Sequence, residues 1–166
     1  MKKRLLGLLF ALTILIGVIA MLIWNNKRIE HEREAMEYKE NILNFTPEDV
    51  IRQHFKWINN RNVIGLPLTI YGEEVKLSRR NFRNIINIEL ISMSEVTDER
   101  TLNWLRGSPR FPEKEKFYDI EIFIVRFDVS RRQEIGFSDG INEDFNIMVR
   151  ENADSPWLIY TLIRAI

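Results

Sequence analysis

Cysteine is absent from all 166 residues of the chain. That absence removes disulfide staples, a thiol nucleophile, a CxxC redox pair, thiolate metal sites and an S-linked lipid anchor together. A fold without staples rests on its core, and a domain of roughly 120 residues buries about two thirds of its unfolded surface, which is enough. Histidine is nearly as scarce, with two copies. His31 stands among Glu30, Glu32 and Glu34 with no second histidine nearby, so no metal site and no cofactor are expected. Net charge is missing as well, since 24 basic residues face 24 acidic ones. The balance is uneven along the chain, however. Lys2, Lys3 and Arg4 precede a long apolar run and every acid follows it, leaving 21 basic against 24 acidic residues in the remainder, a net charge of −3. A mildly acidic body lacks the positive surface that phosphate neutralisation needs, so nucleic acid is not an expected partner.

What is present begins with that run. Residues 5–24 read LLGLLFALTILIGVIAMLIW, twenty residues without a charge. At 1.5 Å per residue they match a bilayer core of about 30 Å, and Trp24 sits where an interfacial aromatic belongs. A cleaved signal peptide has a shorter core followed by a small-x-small site. Val18-Ile19-Ala20 offers one, yet the apolar run continues four residues past it. Residues 1–24 are therefore read as an uncleaved anchor that meets the membrane through residues 5–24. Three basic side chains and the amine precede the run, against Lys27 and Arg28 after it. That asymmetry favours an inside N-terminus and an extracytoplasmic C-terminal domain in a single-pass protein of the cell membrane.

Residues 25–44 are rich in Glu, Lys, Arg, Ala and Met, all strong helix formers. Ile29, Met36 and Leu43 recur at intervals of seven, a thin apolar stripe. The segment reads as a solvated helical stalk or as a short dimeric coiled coil.

Residues 45–166 read as the folded domain. Thr46-Pro47-Glu48-Asp49 is a helix start: an N-cap, a proline suited to the first position, and two acids in the positive first turn. Val50, Ile51, Phe55 and Ile58 then form one apolar face, flanked by His54 and Trp57, on a helix over 46–61. Residues 63–84 give no clear period; Lys76, Arg79, Arg80 and Arg83 within them form a solvated face or an anion contact. A strand is expected over 84–96, and a short helix capped by Asp98 and stopped by Gly107 follows. Residues 117–129 alternate strongly, but the phase flips near Ile124, which predicts a β-bulge and a curved sheet. Phe145, Ile147 and Val149 mark the next strand, and Asp139-Gly140 reads as its connection. The nearby Asn142, Glu143 and Asp144 fail the EF-hand template because Ile141 stands at the third position, so they are read as part of the same connection. The last strand, after Pro156, is apolar on both faces, which asks for a partner subunit or another cover. The order gives an α+β fold with a curved, mainly antiparallel sheet wrapped around an N-terminal helix and preceded by one transmembrane helix.

The stretches TPEDVIRQHFKWINNRN, IELISMSEV, FYDIEIFIVRFDV, GFSDG and DSPWLIY resemble, in that order, a bacterial family of domains of unknown function. That family is placed in the NTF2-like (cystatin-like) superfamily, and its members often follow a membrane anchor in Gram-positive bacteria. The resemblance covers residues 46–163 and is most specific at 136–140 and 155–159. It implies a bent sheet around the helix, with a pocket between them and no established catalytic residues. The pocket residues expected on this basis are His54, Trp57, Tyr118, Phe123, Trp157 and Tyr160. The function expected first is a membrane-tethered extracytoplasmic domain that binds a ligand or a partner. A homodimer or an envelope protein would be that partner. The alternative is a scaffold subunit of an envelope or conjugative secretion machine, since single-span proteins with a domain of this fold occur in such systems. A cavity enzyme using Asp119, Glu121, Asp128 or Tyr118 ranks below both, because these acids alternate with the apolar positions and are expected on the outer face.

Overall fold

The computed structural model describes residues 2–72, 84–132 and 139–165, with side chains from Phe10 onward. The basic stretch with Lys76, Arg79, Arg80 and Arg83 and the first three residues of GFSDG lie outside the described residues. One helix, α1 (Lys2–Asn41), runs through the apolar segment and the charged one without a break. Among the described residues it is the one helix long and apolar enough to cross a membrane.

Helix α2 (Pro47–Asn60) starts where the sequence places it. Thr46 Oγ1 accepts from the Asp49 amide at 3.3 Å, and the Thr46 amide donates to Asp49 Oδ2 at 3.1 Å, a reciprocal capping box. Arg61, at φ 57°, ends the helix in the left-handed region and turns the chain back. A 3-10 turn at Leu66–Thr69 follows, and Ile70 then forms a parallel bridge to Ile159. Four strands complete the domain: β1 (Ile85–Glu95), β2 (Asp119–Arg131), β3 (Gly140–Arg150) and β4 (Leu158–Arg164). They pair in sequence order, all antiparallel, in one curved sheet. Helix α3 (Glu99–Arg106) lies between β1 and β2 in the chain, with Asp98 Oδ2 accepting from the Thr101 amide at 2.8 Å as its cap.

The main core lies between α2 and one sheet face. Val50, Ile51 and Phe55 meet Ile88, Phe123, Val125, Phe127, Met148 and Ile159 there. Each such side chain removed from water contributes about 1.5–3 kcal/mol. A second core covers the other face, where Leu105 of α3 packs with Ile122, Phe145 and Ile147.

That double cover corrects the expected bulge near Ile124. The β2–β3 register runs unbroken from Asp119↔Arg150 to Val129↔Gly140. The phase flips because Ile120, Ile122 and Ile124 pack toward α3, whereas Phe123, Val125, Phe127 and Val129 pack toward α2. The bulges sit elsewhere. Ile86 and Ile91 are the extra residues in β1, and Tyr160 is the extra residue in β4. The β1 pair keeps Ile85, Ile88, Leu90 and Met93 on one face and adds twist to the sheet. Tyr160 has the opposite effect: Trp157 and Ile159 face α2, but Ile163 joins the α3 side. The apolar character of both faces of the last strand therefore has an internal explanation.

Two further expectations change. Strand β3 begins at Gly140, so Asn142, Glu143 and Asp144 belong to a strand and not to a connection. Ile29 and Met36 of α1 and Leu43 in the 3-10 turn after it are exposed, and the buried face of α1 carries Ala35 and Tyr38. Tyr38 stacks on Phe45 at 4.7 Å between ring centres and meets Trp57 edge-on at 4.8 Å. Asn62 Nδ2 donates to Glu34 Oε2 at 3.2 Å, and Lys56 pairs with Glu34 at 3.4 Å. The end of the stalk is thus bolted to α2.

Candidate functional site

The six residues expected to line a pocket do not converge on one. Phe123 and Trp157 are in the main core. Trp57 is completely buried between Tyr38, Leu66 and Ile70, and a Cβ on Gly65 would come within 2.5 Å of its ring. Tyr160 packs with Tyr71 and Phe117 at ring distances of 5.8 and 5.6 Å. Tyr118 is exposed, yet the structure does link it to Trp157. The Arg150 guanidinium lies 5.2 Å from the Tyr118 ring centre and 4.8 Å from that of Trp157. Asp119 Oδ2 holds that guanidinium, accepting from Nε at 2.8 Å and from Nη2 as well. A cation stacked between two rings and tied to a carboxylate is locked in place.

His54 is buried, with Nδ1 at 2.8 Å from Thr69 Oγ1. The Thr69 hydroxyl spends its only proton on the Leu66 carbonyl at 2.8 Å. Its oxygen must then accept, so the His54 proton sits on Nδ1. Burial lowers the His54 pKa to about 4, which keeps the ring neutral.

The acids are also rearranged. Asp119 and Glu121 share the α2-facing side of β2 with Phe123, since strand side chains alternate. This corrects their outer-face placement; Asp128, in the other phase, is exposed. Burial raises the Glu121 pKa, aided by Glu95, Glu48 and Asp119.

The most unusual chemistry is a row that the sequence reading passed over. Asn142, Asp144 and Asn146 alternate along β3 in the phase of Met148, a core residue against α2. Their cross-strand partners Phe127, Val125 and Phe123 lie in the same core. The row therefore faces the helix side of the sheet. Asn146 is 1% exposed, and neither its Oδ1 nor its Nδ2 has a hydrogen-bond partner. Asp144 Oδ1 is buried and unpartnered as well. Burial pushes the Asp144 carboxyl above its ordinary range, against the pull of Arg164 and Arg131. Asn142 is anchored, donating to the Gly140 carbonyl at 2.7 Å and accepting from Arg164 at 2.8 Å. Buried polar groups in folded proteins nearly always have partners, and an unmade bond costs about 1–3 kcal/mol. Two adjacent inward positions thus carry open hydrogen-bonding valences. The sequence signal was partial: Phe145, Ile147 and Val149 alternate, but Glu143 interrupts the apolar phase before Ile141.

The sign of the Asp144 effect is testable. Burial favours the protonated acid, so ionisation at neutral pH costs more in the folded chain than in the unfolded one. Stability from this group rises as pH falls toward the ordinary carboxylate range. Asp144→Asn should therefore be more stable than the wild type at pH 7, with the gain shrinking as the pH is lowered toward 4. Urea melts at the two pH values measure it, and a pH-independent difference would contradict it.

Open clefts among the described residues include a groove of about 530 Å³ where α3 meets β2, with Leu102, Phe111 and Ile120 in its lining and Arg106 and Lys114 as charges. Another of about 600 Å³ lies between α1 and α2, beside Glu37, Tyr38 and Gln53.

No curated protein and no solved structure matches the chain. A family model does match, described as "Domain of unknown function (DUF4829)", over residues 48–162. That span takes in α2, α3, the four strands almost to their end and the polar row, and it leaves out α1. With more than half of its length matched, the chain belongs to the DUF4829 family.

Proposed function

We propose that this chain is a single-pass membrane protein whose C-terminal domain, of NTF2-like (cystatin-like) type, stands outside a bacterial cell and binds a small polar ligand. Asn146 carries the reading. Its amide is buried, faces the helix side of the sheet and lacks both its donor and its acceptor partners. A ligand offering one donor and one acceptor would satisfy it, and the neighbouring Asp144, held toward its protonated form by burial, would add a third contact. The reading assigns no catalytic step and no cofactor.

A group kept for a ligand costs stability in the ligand's absence. Asn146→Leu, close in volume, should therefore stabilise the full chain by about 1 kcal/mol, or roughly 3 °C in Tm for a chain of this size. Native mass spectrometry of the full chain in detergent, incubated with a pool of small polar metabolites, should show an adduct that this variant loses. A less stable variant, together with an adduct on neither protein, removes the reading.

Assembly through the last strand is a second reading. It draws on Leu162, 44% exposed on an edge strand, which a second copy or an envelope protein could cover.

A further inference from the structure

Helix α1 is continuous from the apolar run to its joint with α2, and this fixes the height of the domain above the end of that run. Pairing along the joint runs antiparallel. Tyr38 meets Trp57, Glu34 meets Lys56 and Asn62, and the His31 carbonyl accepts from Asn62 Nδ2 at 3.4 Å. Lower still, Lys27 and His31 share a groove with Asn60 and Arg61. Helix α2 therefore points its C-terminal end back toward Trp24. Along α1, Lys27 and His31 lie about 5 and 10 Å beyond Trp24. The polar interfacial layer of a bilayer is itself about 5–8 Å thick on each side.

The turn at that height is apolar and open. Val63 is 62% exposed and Ile64 is 38% exposed. The Arg61 guanidinium donates to the Ile85 carbonyl at 3.1 Å, which brings the start of β1 to the same end. The bulged Ile86 there is 55% exposed. Arg132 is exposed at this end, beside Asn84. Three branched apolar side chains interspersed with basic ones suit the boundary between headgroups and acyl chains.

We infer that Val63, Ile64 and Ile86 form a second membrane contact, seating the end of the domain on the bilayer surface beside its own anchor. The inference rests on α1 spanning the membrane, and the test separates the two. The chain has no native cysteine, so single nitroxide labels can be placed on the full protein in lipid vesicles. Ala20→Cys reports on the span. Val63→Cys and Ile86→Cys report on the contact. Ala153→Cys, exposed in the turn before β4 at the opposite end of the sheet, is the reference. Power-saturation depth measurement should place the 20 label in the hydrocarbon and the 153 label in water. The 63 and 86 labels should fall within about 10 Å of the headgroup–acyl boundary. Labels at 63 and 86 as water-accessible as the one at 153, with 20 still in hydrocarbon, overturn the contact and leave the anchor standing. Shielding from water and lipid alike, or dipolar broadening between copies, would assign the patch to a protein partner and overturn it too. An aqueous 20 label removes both readings.

Discussion

Trp57→Ala should cost the chain about 3–5 kcal/mol, the largest single loss expected of any substitution considered. Trp57 is completely buried where three segments meet: α2 itself, the 3-10 turn through Leu66, and the end of α1 through Tyr38. Gly65 is close enough for any Cβ there to clash with the indole, so the backbone is already tight against the ring and cannot easily collapse into the space left behind. Removing the indole also removes one wall of the Tyr38 site. The Tyr38 hydroxyl is buried without a partner, and burial with nearby Asp49 pushes its pKa up. In the variant that hydroxyl should reach water, and its pKa should fall back toward 10. Trp57→Phe should cost less than Trp57→Ala, because the phenyl ring still fills much of the space and the lost indole N–H has no partner. Chemical denaturation together with the ultraviolet titration of Tyr38 checks both halves. A loss under about 1 kcal/mol with an unmoved tyrosine would mean that the joint between α1 and α2 is not a packed one.

How much of this was legible depends on whether local chemistry or tertiary cover decides each element. Helix α2 was readable because Thr46, Pro47 and Asp49 determine its start locally, and its buried face follows the 3.6-residue period. The cap of α3 at Asp98 was readable for the same reason. The order and antiparallel run of the strands followed from alternation. The polar row was not seen, because Asn142 and Asp144 are turn residues by propensity, and only their register against Phe127 and Val125 makes them strand. The phase flip in β2 was visible, but its cause was not. Alternation cannot distinguish a bulge from a strand covered on opposite faces along its length, and here α3 supplies the second cover. On α1, two buried positions, Ala35 and Tyr38, are too few to outweigh a charged composition, whereas the conspicuous stripe of Ile29 and Met36, continued by Leu43 beyond the helix, is exposed. The six aromatic and histidine positions chosen for a pocket were selected by residue type, and residue type alone favours core packing. The buried groups left without partners among the described residues are the Tyr38 hydroxyl, the Trp57 indole N–H, one Asp144 oxygen and the Asn146 amide, and only the last two lie in the polar row.

Acidification should destabilise the chain through His54 by about 3 kcal/mol between neutral pH and pH 4. The His54 pKa lies near 6.5 when unfolded and is lowered to about 4 when folded, because its ring is buried. A basic group with a lowered folded pKa binds its proton more readily in the unfolded chain. Stability is therefore full above about pH 6.5 and drains away as the pH falls through the window down to about 4. The raised carboxyls Asp144 and Glu121 act in the other direction, since protonation relieves them, so the raw pH profile of the wild type understates the histidine. The difference between wild type and His54→Gln isolates it. The glutamine can still donate to Thr69 but takes up no proton, so its stability should fall less on acidification, and the gap between the two proteins should open below pH 6.5. Urea melts from pH 7.5 to 4.5 on the full chain in lipid nanodiscs measure that gap. The His54 ring-proton resonance supplies an independent reading: it should stay at its neutral position down to about pH 5. A midpoint near 6.5, or parallel pH profiles for the two proteins, would mean that the ring meets water, and the packing of α2 against the Leu66–Thr69 turn would have to be looser than the 2.8 Å contact requires.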